Sequence, residues 1–452
     1  MNRYAVISKG LSVSEITREV KRVGGLNIRE APLTEQVFCD LDDEAAARLD
    51  EIPGLTVKKV KTVSAKYTDA KQVRIPVYGQ AEAPTELQPT YSTLYGSQAA
   101  RFYELRDMFT PPVTGAGATC AILDSGVRKT HRGLRGKIIR EINLSNSPII
   151  EDVFDHGTGV AYIMCGGRHA LGEDSGLAPG AKVISIKVLN DNGEGSEENV
   201  VLGLEEVIKQ VREAYDAGVG LTDPMNIHAV SLSFGAPDDG DPDNPIRVAC
   251  RKVVHCHEPY SGYTMIVAAA AGNEGPGPGT IMLPACDPEV LAVGAMTFYP
   301  FDVAVSSSRG PTKEGLIKPD VVFFGIDINV ASAKSDDAYV VKSGTSFSTP
   351  FMVGGGFCGW EMFRRYYGLE ATISRQEWND WIKRITIKPE GAPSEKDNTY
   401  GYGFPWGGEM IRETTGMAVP GMAVSTITEM ITPLVGIGML GMMMAGVMKG
   451  MK

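Results

Sequence analysis

The chain has 452 residues, 43% of them hydrophobic, and a formal net charge of −11. This length predicts one large domain with smaller units attached, and the apolar content is sufficient for a sizeable core. The acidity, with no basic stripe interleaved with aromatic residues, argues against nucleic acid as a partner and is typical of a soluble protein. Seven cysteines are thinly spread and odd in number, so we expect mostly free thiols rather than a disulfide framework.

Residues 1–66 alternate short apolar runs with amphipathic stretches. A strand is predicted over 4–8, and Ser12 to Glu15 match a capping box for a helix that ends at Gly24-Gly25. The remaining predicted elements are strands over 26–28, 37–41 and 55–60 and an Ala-rich helix over 42–52. The order βαββαβ indicates a small ferredoxin-like domain. Its start has too short an apolar run for a secretory signal peptide.

Residues 67–115 are rich in Pro, Gln, Thr and Tyr and lack sustained periodicity, so we expect a linker and a lead-in segment. From 116 to 412, apolar runs typical of buried parallel strands alternate with helical stretches. The runs cover 118–123, 182–188, 227–233, 264–270 and 290–295. This alternation predicts an α/β domain with a parallel sheet flanked by helices.

Residues 413–452 form a hydrophobic tail rich in Met and Gly. The stretch 430–448 carries no charge and is long enough to cross a membrane, whereas its glycines and Pro433 argue against a continuous helix. The sequence therefore leaves open two alternatives: membrane contact through 430–448, or an apolar tail that is disordered or covered by a partner. The cellular location is not determined by the sequence.

Three separated residues have the types needed for a serine triad. Asp124 follows an apolar strand, His156 opens a predicted helix, and Ser346 precedes another helix. A serine hydroxyl becomes nucleophilic when an imidazole takes its proton, and a carboxylate orients that imidazole. Each residue alone is weak evidence, but the order Asp, His, Ser is one of the known orders of such triads.

The segments around these residues are Ile122-Leu123-Asp124-Ser125-Gly126, Asp155-His156-Gly157-Thr158-Gly159-Val160-Ala161 and Gly344-Thr345-Ser346-Phe347-Ser348-Thr349-Pro350. They resemble the motifs of the subtilisin-like serine proteases (subtilases, peptidase S8). The resemblance implies a serine endopeptidase of subtilisin-like fold that acts on proteins or peptides and requires no cofactor. It also implies that Asn273 donates a hydrogen bond to the oxyanion.

The same resemblance implies a set of substrate-binding residues. They are Gly193, Glu194 and Gly195 at an edge that pairs with the substrate, Ser233, Phe234 and Gly235 at the S1 pocket, and Ala271 and Gly272 before Asn273. We expect Glu194 to favour basic side chains. The chain departs from the family pattern at Gly159, Tyr162, Ser348 and Phe351.

The N-terminal unit resembles the inhibitory propeptides of subtilases in pattern and position. This implies a zymogen whose own N-terminal domain is an intramolecular inhibitor, with autocleavage expected within 67–115 at a bond that the sequence does not identify. Two alternatives stay open. The unit is an unrelated α+β domain, or the whole chain is a catalytically silent binding or structural protein anchored by its tail.

Two clusters could suggest a metal. The acidic loop from Asp238 to Asp243 has ligands suited to structural calcium, although a solvated loop is the favoured interpretation. Cys250, His255, Cys256 and His257 fit no common zinc spacing. We therefore predict no metal site.

Overall fold

The computed structural model describes residues 1–69, 109–167, 176–297, 302–368, 374–389 and 391–415. Most of the predicted linker and the tail from residue 416, with the candidate membrane segment 430–448, lie outside the described residues. Within the described ranges, no helix has both the length and the apolar character needed to cross a membrane.

The N-terminal unit has the predicted βαββαβ order. Its elements are β1 Asn2–Ser8, α1 Val13–Arg22, β2 Leu26–Ala31, β3 Gln36–Leu41, α2 Asp43–Asp50 and β4 Leu55–Lys59. The strands form an antiparallel sheet in the order β2-β3-β1-β4, as expected for a ferredoxin-like unit. The predicted capping box at Ser12 begins α1. Ala5, Ala31 and Phe38 join the core of the large domain, so the unit packs directly on it.

The large domain is built on seven parallel strands. In chain order they are β7 Thr119–Asp124, β8 Ile138–Asn143, β9 Lys182–Lys187, β11 Ala229–Leu232, β13 Ile266–Ala270, β15 Leu291–Met296 and β16 Val321–Phe324. Their order in the sheet is β16-β15-β13-β11-β7-β9-β8. Every residue of β7 is buried, because helices cover both faces of the sheet.

Two helical layers cover this sheet. The helices are α3 Gly157–Cys165, α4 Glu197–Asp216, α5 Pro245–Val254, α6 Glu258–Ser261, α7 Thr345–Tyr367, α8 Arg375–Ile385 and α9 Gly407–Thr415. Helices α3 and α7 contribute to one apolar core, whereas α4 and α5 contribute to the other. The predicted α/β class, with a parallel sheet flanked by helices, is confirmed.

The remaining strands are short and lie around the main sheet. They are β5 Thr62–Ser64, β6 Thr68–Asp69, β10 Glu194–Ser196, β12 Ala236–Pro237, β14 Met282–Leu283, β17 Ile328–Ala331, β18 Tyr339–Ser343, β19 Thr386–Ile387 and β20 Phe404–Pro405. Strand β5 pairs with β10, and β6 pairs with β18. The end of the N-terminal unit, in β5, and the residues just after it, in β6, are therefore bound to two separate edges of the large domain.

Candidate active site

The carboxyl end of β7 and the start of α3 bring Asp124 and His156 into contact. His156 Nδ1 lies 2.8 Å from Asp124 Oδ1, and both side chains are buried. The same carboxylate oxygen accepts a hydrogen bond from the Ser125 backbone N–H at 2.7 Å. Gly157 permits this approach, since a Cβ atom there would lie 2.2 Å from the Gly126 carbonyl oxygen. The pair can therefore hold the imidazole in a fixed orientation.

A second buried carboxylate, Asp152, connects the loops that carry Asp124 and His156. Burial raises the pKa of Asp152, whereas its hydrogen bonds oppose that increase. It accepts hydrogen bonds from Ser125 Oγ (2.8 Å), Asp155 N (2.8 Å), Thr158 N (2.9 Å) and Thr158 Oγ1 (2.7 Å). Sequence reasoning missed this positioning residue, because no motif distinguishes it from other acidic loop residues.

Ser346 lies in the first turn of α7, facing the end of β11. Its hydroxyl donates to the Ser233 carbonyl oxygen at 2.9 Å, and the Ser233 hydroxyl donates to the Ser346 carbonyl oxygen at 2.9 Å. Among the described residues, His156 Nε2 is buried without a hydrogen-bond partner. A hydrogen bond between the Ser346 hydroxyl and His156 Nε2 would therefore require the hydroxyl to leave the Ser233 carbonyl oxygen. In serine hydrolases such bonds often form only when substrate is bound.

The Asn273 side chain is oriented by the residue before Ser346. Its Oδ1 accepts from the Thr345 backbone N–H at 2.9 Å and from Thr345 Oγ1 at 3.1 Å. These two donors fix the oxygen, so the amide NH₂ group faces the cleft. There Asn273 Nδ2 donates to the Lys66 carbonyl oxygen at 3.0 Å.

Residues 62–66, the end of the N-terminal unit, occupy the cleft as an added strand. Strand β5 runs antiparallel to β10, and Ser64 exchanges two backbone hydrogen bonds of 3.0 Å with Gly235. The Ala65 N–H donates to the Gly193 carbonyl oxygen at 3.0 Å. Predicted substrate-binding residues on both edges therefore hold this segment, and the buried Val63 side chain anchors it.

The peptide bond between Lys66 and Tyr67 lies beside Asn273 and His156. Lys66 Nζ lies 2.9 Å from Glu274 Oε1. The Tyr67 ring stacks on the His156 ring with a centroid distance of 5.5 Å. Strand β6 then continues the chain along β18. Sequence reasoning did not identify Lys66 or Tyr67, because only the fold brings them to the cleft.

The other predicted binding residues differ in position. Phe234 and Gly272 line the pocket beside Asn273. Ala271 is buried in the core, where its N–H donates to Val293. Glu194 is exposed. It lies opposite Ser64 in the backbone pairing of β10 with β5, in which Gly195 lies opposite Val63. The lysine in the cleft contacts Glu274 rather than Glu194, so the preference assigned to Glu194 stays a prediction.

The departures from the family motifs are accommodated by core packing. A Cβ atom on Gly159 would lie 2.8 Å from Val330 Cγ2, so Val330 fills the space beside α3. Phe351 stacks on Phe323 with a centroid distance of 5.0 Å. Ser348 is buried against Gly325, where a Cβ would lie 2.2 Å from its Oγ. These contacts show how the core accommodates Gly159, Ser348 and Phe351.

The acidic loop is paired with the N-terminal unit, which differs from the expected solvated loop. Three carboxylates, those of Asp239, Asp241 and Asp243, contact lysines of the unit. The nitrogen–oxygen distances are 2.5 Å for Lys61–Asp239, 2.6 Å for Lys58–Asp241 and 2.7 Å for Lys9–Asp243. Within the described ranges, no group of His, Cys, Asp and Glu side chains is arranged to hold a metal ion.

The fold is that of an α/β protein whose cleft holds the Asp124–His156 pair and, at the start of α7, Ser346. The profile of the subtilase family matches residues 115–403, and the chain belongs to that family. It is 32% identical over 265 residues to the serine protease AprX of Bacillus subtilis, covering 54% of this chain and 56% of the relative. It is 30% identical over 248 residues to an intracellular serine protease of Paenibacillus polymyxa, covering 53% and 65%.

Among solved structures, the chain is similar to fervidolysin from Fervidobacterium pennivorans, a keratinolytic enzyme related to subtilisin. The TM-score is 0.66 at 19% identity, with 91% of this chain and 61% of fervidolysin covered. This likeness shows the subtilisin-like fold. The aligned part of the chain spans 51% to 65% of the length of AprX, of the Paenibacillus polymyxa protease and of a thermophilic serine proteinase from a Bacillus species.

Proposed function

We propose that the protein is a serine endopeptidase made as a zymogen that cleaves its own chain between Lys66 and Tyr67. Asp124, His156 and Ser346 form the triad, and Asn273 binds the oxyanion. The observation that carries the proposal is the hydrogen bond from Asn273 Nδ2 to the Lys66 carbonyl oxygen. The Lys66–Tyr67 peptide bond lies at the start of segment 67–115, in which the sequence predicts autocleavage.

In the proposed reaction, Ser346 Oγ attacks the Lys66 carbonyl carbon while His156 Nε2 takes the hydroxyl proton. The oxyanion receives hydrogen bonds from Asn273 Nδ2 and the Ser346 N–H. His156 then gives the proton to the Tyr67 nitrogen, the peptide bond breaks and an acyl-enzyme remains. Water hydrolyses the ester by the reverse proton path. The side chains supply nucleophile, base and oxyanion donor, so this chemistry needs no cofactor.

The N-terminal unit acts as an inhibitor in this proposal, because its last residues fill the acyl side of the cleft. The β5 pairing and the Gly193 and Gly235 bonds persist when the bond after Lys66 is cut. Packing of Ala5, Ala31 and Phe38 against the large domain adds affinity. Activity on other proteins therefore begins only when the unit dissociates or is degraded.

The deciding experiment combines a fluorophosphonate probe with mass spectrometry of purified protein. Wild type should react at Ser346 and yield a large fragment that begins at Tyr67. Ser346→Ala should neither react nor be cleaved. Ser348→Ala is the matched control, because it removes the neighbouring buried serine hydroxyl and introduces the residue usual in the family, and it should behave as wild type.

The rival function is a catalytically silent binding or structural protein. Wild-type protein that has lost its N-terminal unit, yet does not react under conditions that label a known serine hydrolase, would establish that rival. If Ser346 reacts with the probe but the large fragment begins at a residue other than Tyr67, the protein is still a serine protease. Only the assignment of the Lys66–Tyr67 bond is then overturned.

A further inference from the structure

The side chain that follows the Lys66–Tyr67 bond lies in an aromatic enclosure on the leaving-group side of the cleft. The Tyr67 ring stacks on His156 at a centroid distance of 5.5 Å and 29°. It also makes edge contacts with Phe154 at 5.6 Å and with Phe347 at 6.2 Å. Rings at these distances and angles have the geometry of favourable aromatic pairs.

A buried cation completes the enclosure. Lys342 Nζ lies 4.3 Å from the centroid of the Tyr67 ring, and the Lys342 side chain is fully buried. A cation at this distance over a ring face is attracted by the ring's negative face, and more strongly where water is excluded.

Lys342 is held in place by the residue that precedes His156. Its ammonium lies 3.2 Å from Asp155 Oδ2, while Asp155 Oδ1 accepts from Ser332 Oγ at 2.9 Å and from the Ala333 N–H at 2.5 Å. Asp155 has a positive φ of 67°, which only a few non-glycine residues adopt. The backbone and the ion pair thus fix the ammonium before a substrate arrives.

We propose that this enclosure is a specificity pocket for an aromatic side chain immediately after the scissile bond, with Lys342 and Phe154 as its determinants. The inference rests on the proposed peptidase function. Tyr67 is its first occupant, and it leaves the pocket when the mature chain begins at that residue. Protein substrates with a tyrosine or a similar electron-rich ring at this position then take its place.

The test uses protein that is produced from the full-length chain and has matured by self-cleavage. Pairs of peptides compete for it in one tube. The peptides have the same sequence up to Lys and differ only in the next residue, which is Tyr, Leu or Ala. Competition measures ratios of kcat/KM, so the fraction of active enzyme cancels. Wild type should prefer Tyr over Ala by about tenfold or more.

Two variants assign the preference to the pocket. Lys342→Met keeps the side-chain length and removes the cation, so the Tyr:Leu ratio should fall by about 3- to 30-fold while the Leu:Ala ratio stays the same. Phe154→Leu removes one ring contact and should lower the Tyr:Leu ratio as well, which keeps the test valid if Lys342→Met does not fold. Lys209→Met, at an exposed lysine on α4, should leave every ratio unchanged.

Failure of the inference can be told apart from failure of the proposed function. A protein that reacts with the fluorophosphonate and cleaves Tyr, Leu and Ala peptides at equal rates is a peptidase without this pocket. An unchanged Tyr:Leu ratio in both variants would also overturn the assignment. If the protein neither reacts with the probe nor cleaves any of the peptides, both the proposed peptidase function and the proposed pocket are refuted.

Discussion

At the scale of single residues, the orientation of the Asn273 amide is set before any reaction begins. Two donors from Thr345, the backbone N–H and the hydroxyl, hold its oxygen, so the NH₂ group is directed at a carbonyl oxygen in the cleft. A donor fixed in this way needs no reorganisation when negative charge develops on that oxygen. Asn273 is therefore the residue whose loss should act on turnover more than on binding.

We predict that Asn273→Ala lowers kcat by about 100- to 1,000-fold with little change in KM, because one oxyanion donor is lost. Asn273→Asp is the sharper variant, since it keeps an acceptor for Thr345 and replaces only the donor. The kcat of Asn273→Asp should fall at least as far as that of Asn273→Ala. The measurement is steady-state hydrolysis of a peptide with Lys before the scissile bond. Titration with the fluorophosphonate probe gives the concentration of active enzyme, so that kcat and KM are both obtained. Equal activity of Asn273→Asp and wild type would contradict the oxyanion role.

At the scale of elements, the N-terminal unit binds the large domain through both apolar packing and ion pairs. The lysines that contact the acidic loop are 33% to 70% exposed. Exposed pairs contribute little singly and are screened by salt. Arg3 adds a pair to the more buried Glu198 at 2.6 Å. The residence time of the cleaved unit should therefore depend on salt through these pairs.

We predict that raising NaCl from about 0.05 M to about 0.5 M shortens the lag between self-cleavage and the onset of peptide hydrolysis several-fold. The double variant Lys58→Met/Lys61→Met should have a short lag at both salt concentrations. Lys21→Met, on α1 and outside this interface, should retain the wild-type salt response. Gel analysis times the cleavage and a fluorogenic peptide times the activity. A lag in wild type that does not respond to salt would refute the electrostatic contribution.

Local elements were predictable from the sequence, whereas contacts between distant segments were not. Neighbouring residues define the capping box of α1 and the buried run of β7. They also define the short motifs that identify Asp124, His156 and Ser346. The bond between Asn273 and Lys66 joins residues 207 positions apart. No spacing rule indicates it, since it depends on how the unit docks. The acidic loop was misread for the same reason: its lysine partners lie in another domain.

At the scale of the whole molecule, two buried histidines couple stability to pH. His228 Nδ1 accepts from the Thr119 N–H at 3.0 Å, and His257 Nε2 lies 2.6 Å from the Ile227 carbonyl oxygen. Burial lowers the pKa of His228 to about 3 and that of His257 to about 4. Both rings therefore stay neutral in the folded protein under mildly acidic conditions.

The sign of the pH effect follows from the protons bound by each state. Below a pH of about 6.5, the unfolded chain protonates both histidines while the folded protein does not. The unfolded state is then favoured, and each such histidine removes up to about 1.4 kcal/mol of stability per pH unit. His255 acts in the opposite direction. Burial lowers its pKa, but hydrogen bonds and ion pairs with Glu258 and Glu289 together outweigh burial and raise that pKa. Buried Asp152, with a raised pKa, also opposes the trend.

Because these groups oppose one another, the informative quantity is the slope of apparent Tm against pH in matched variants. In a Ser346→Ala background, which prevents self-digestion, His228→Gln should flatten the fall in Tm between about pH 6.5 and pH 4, since one titrating group of the unfolded state is gone. His255→Gln should steepen it, because a group that stabilises the folded state in acid is removed. Scans at one fixed heating rate keep the slopes comparable if unfolding is irreversible. Parallel slopes in all three proteins would show that acid acts elsewhere, for example by releasing the N-terminal unit before the large domain unfolds.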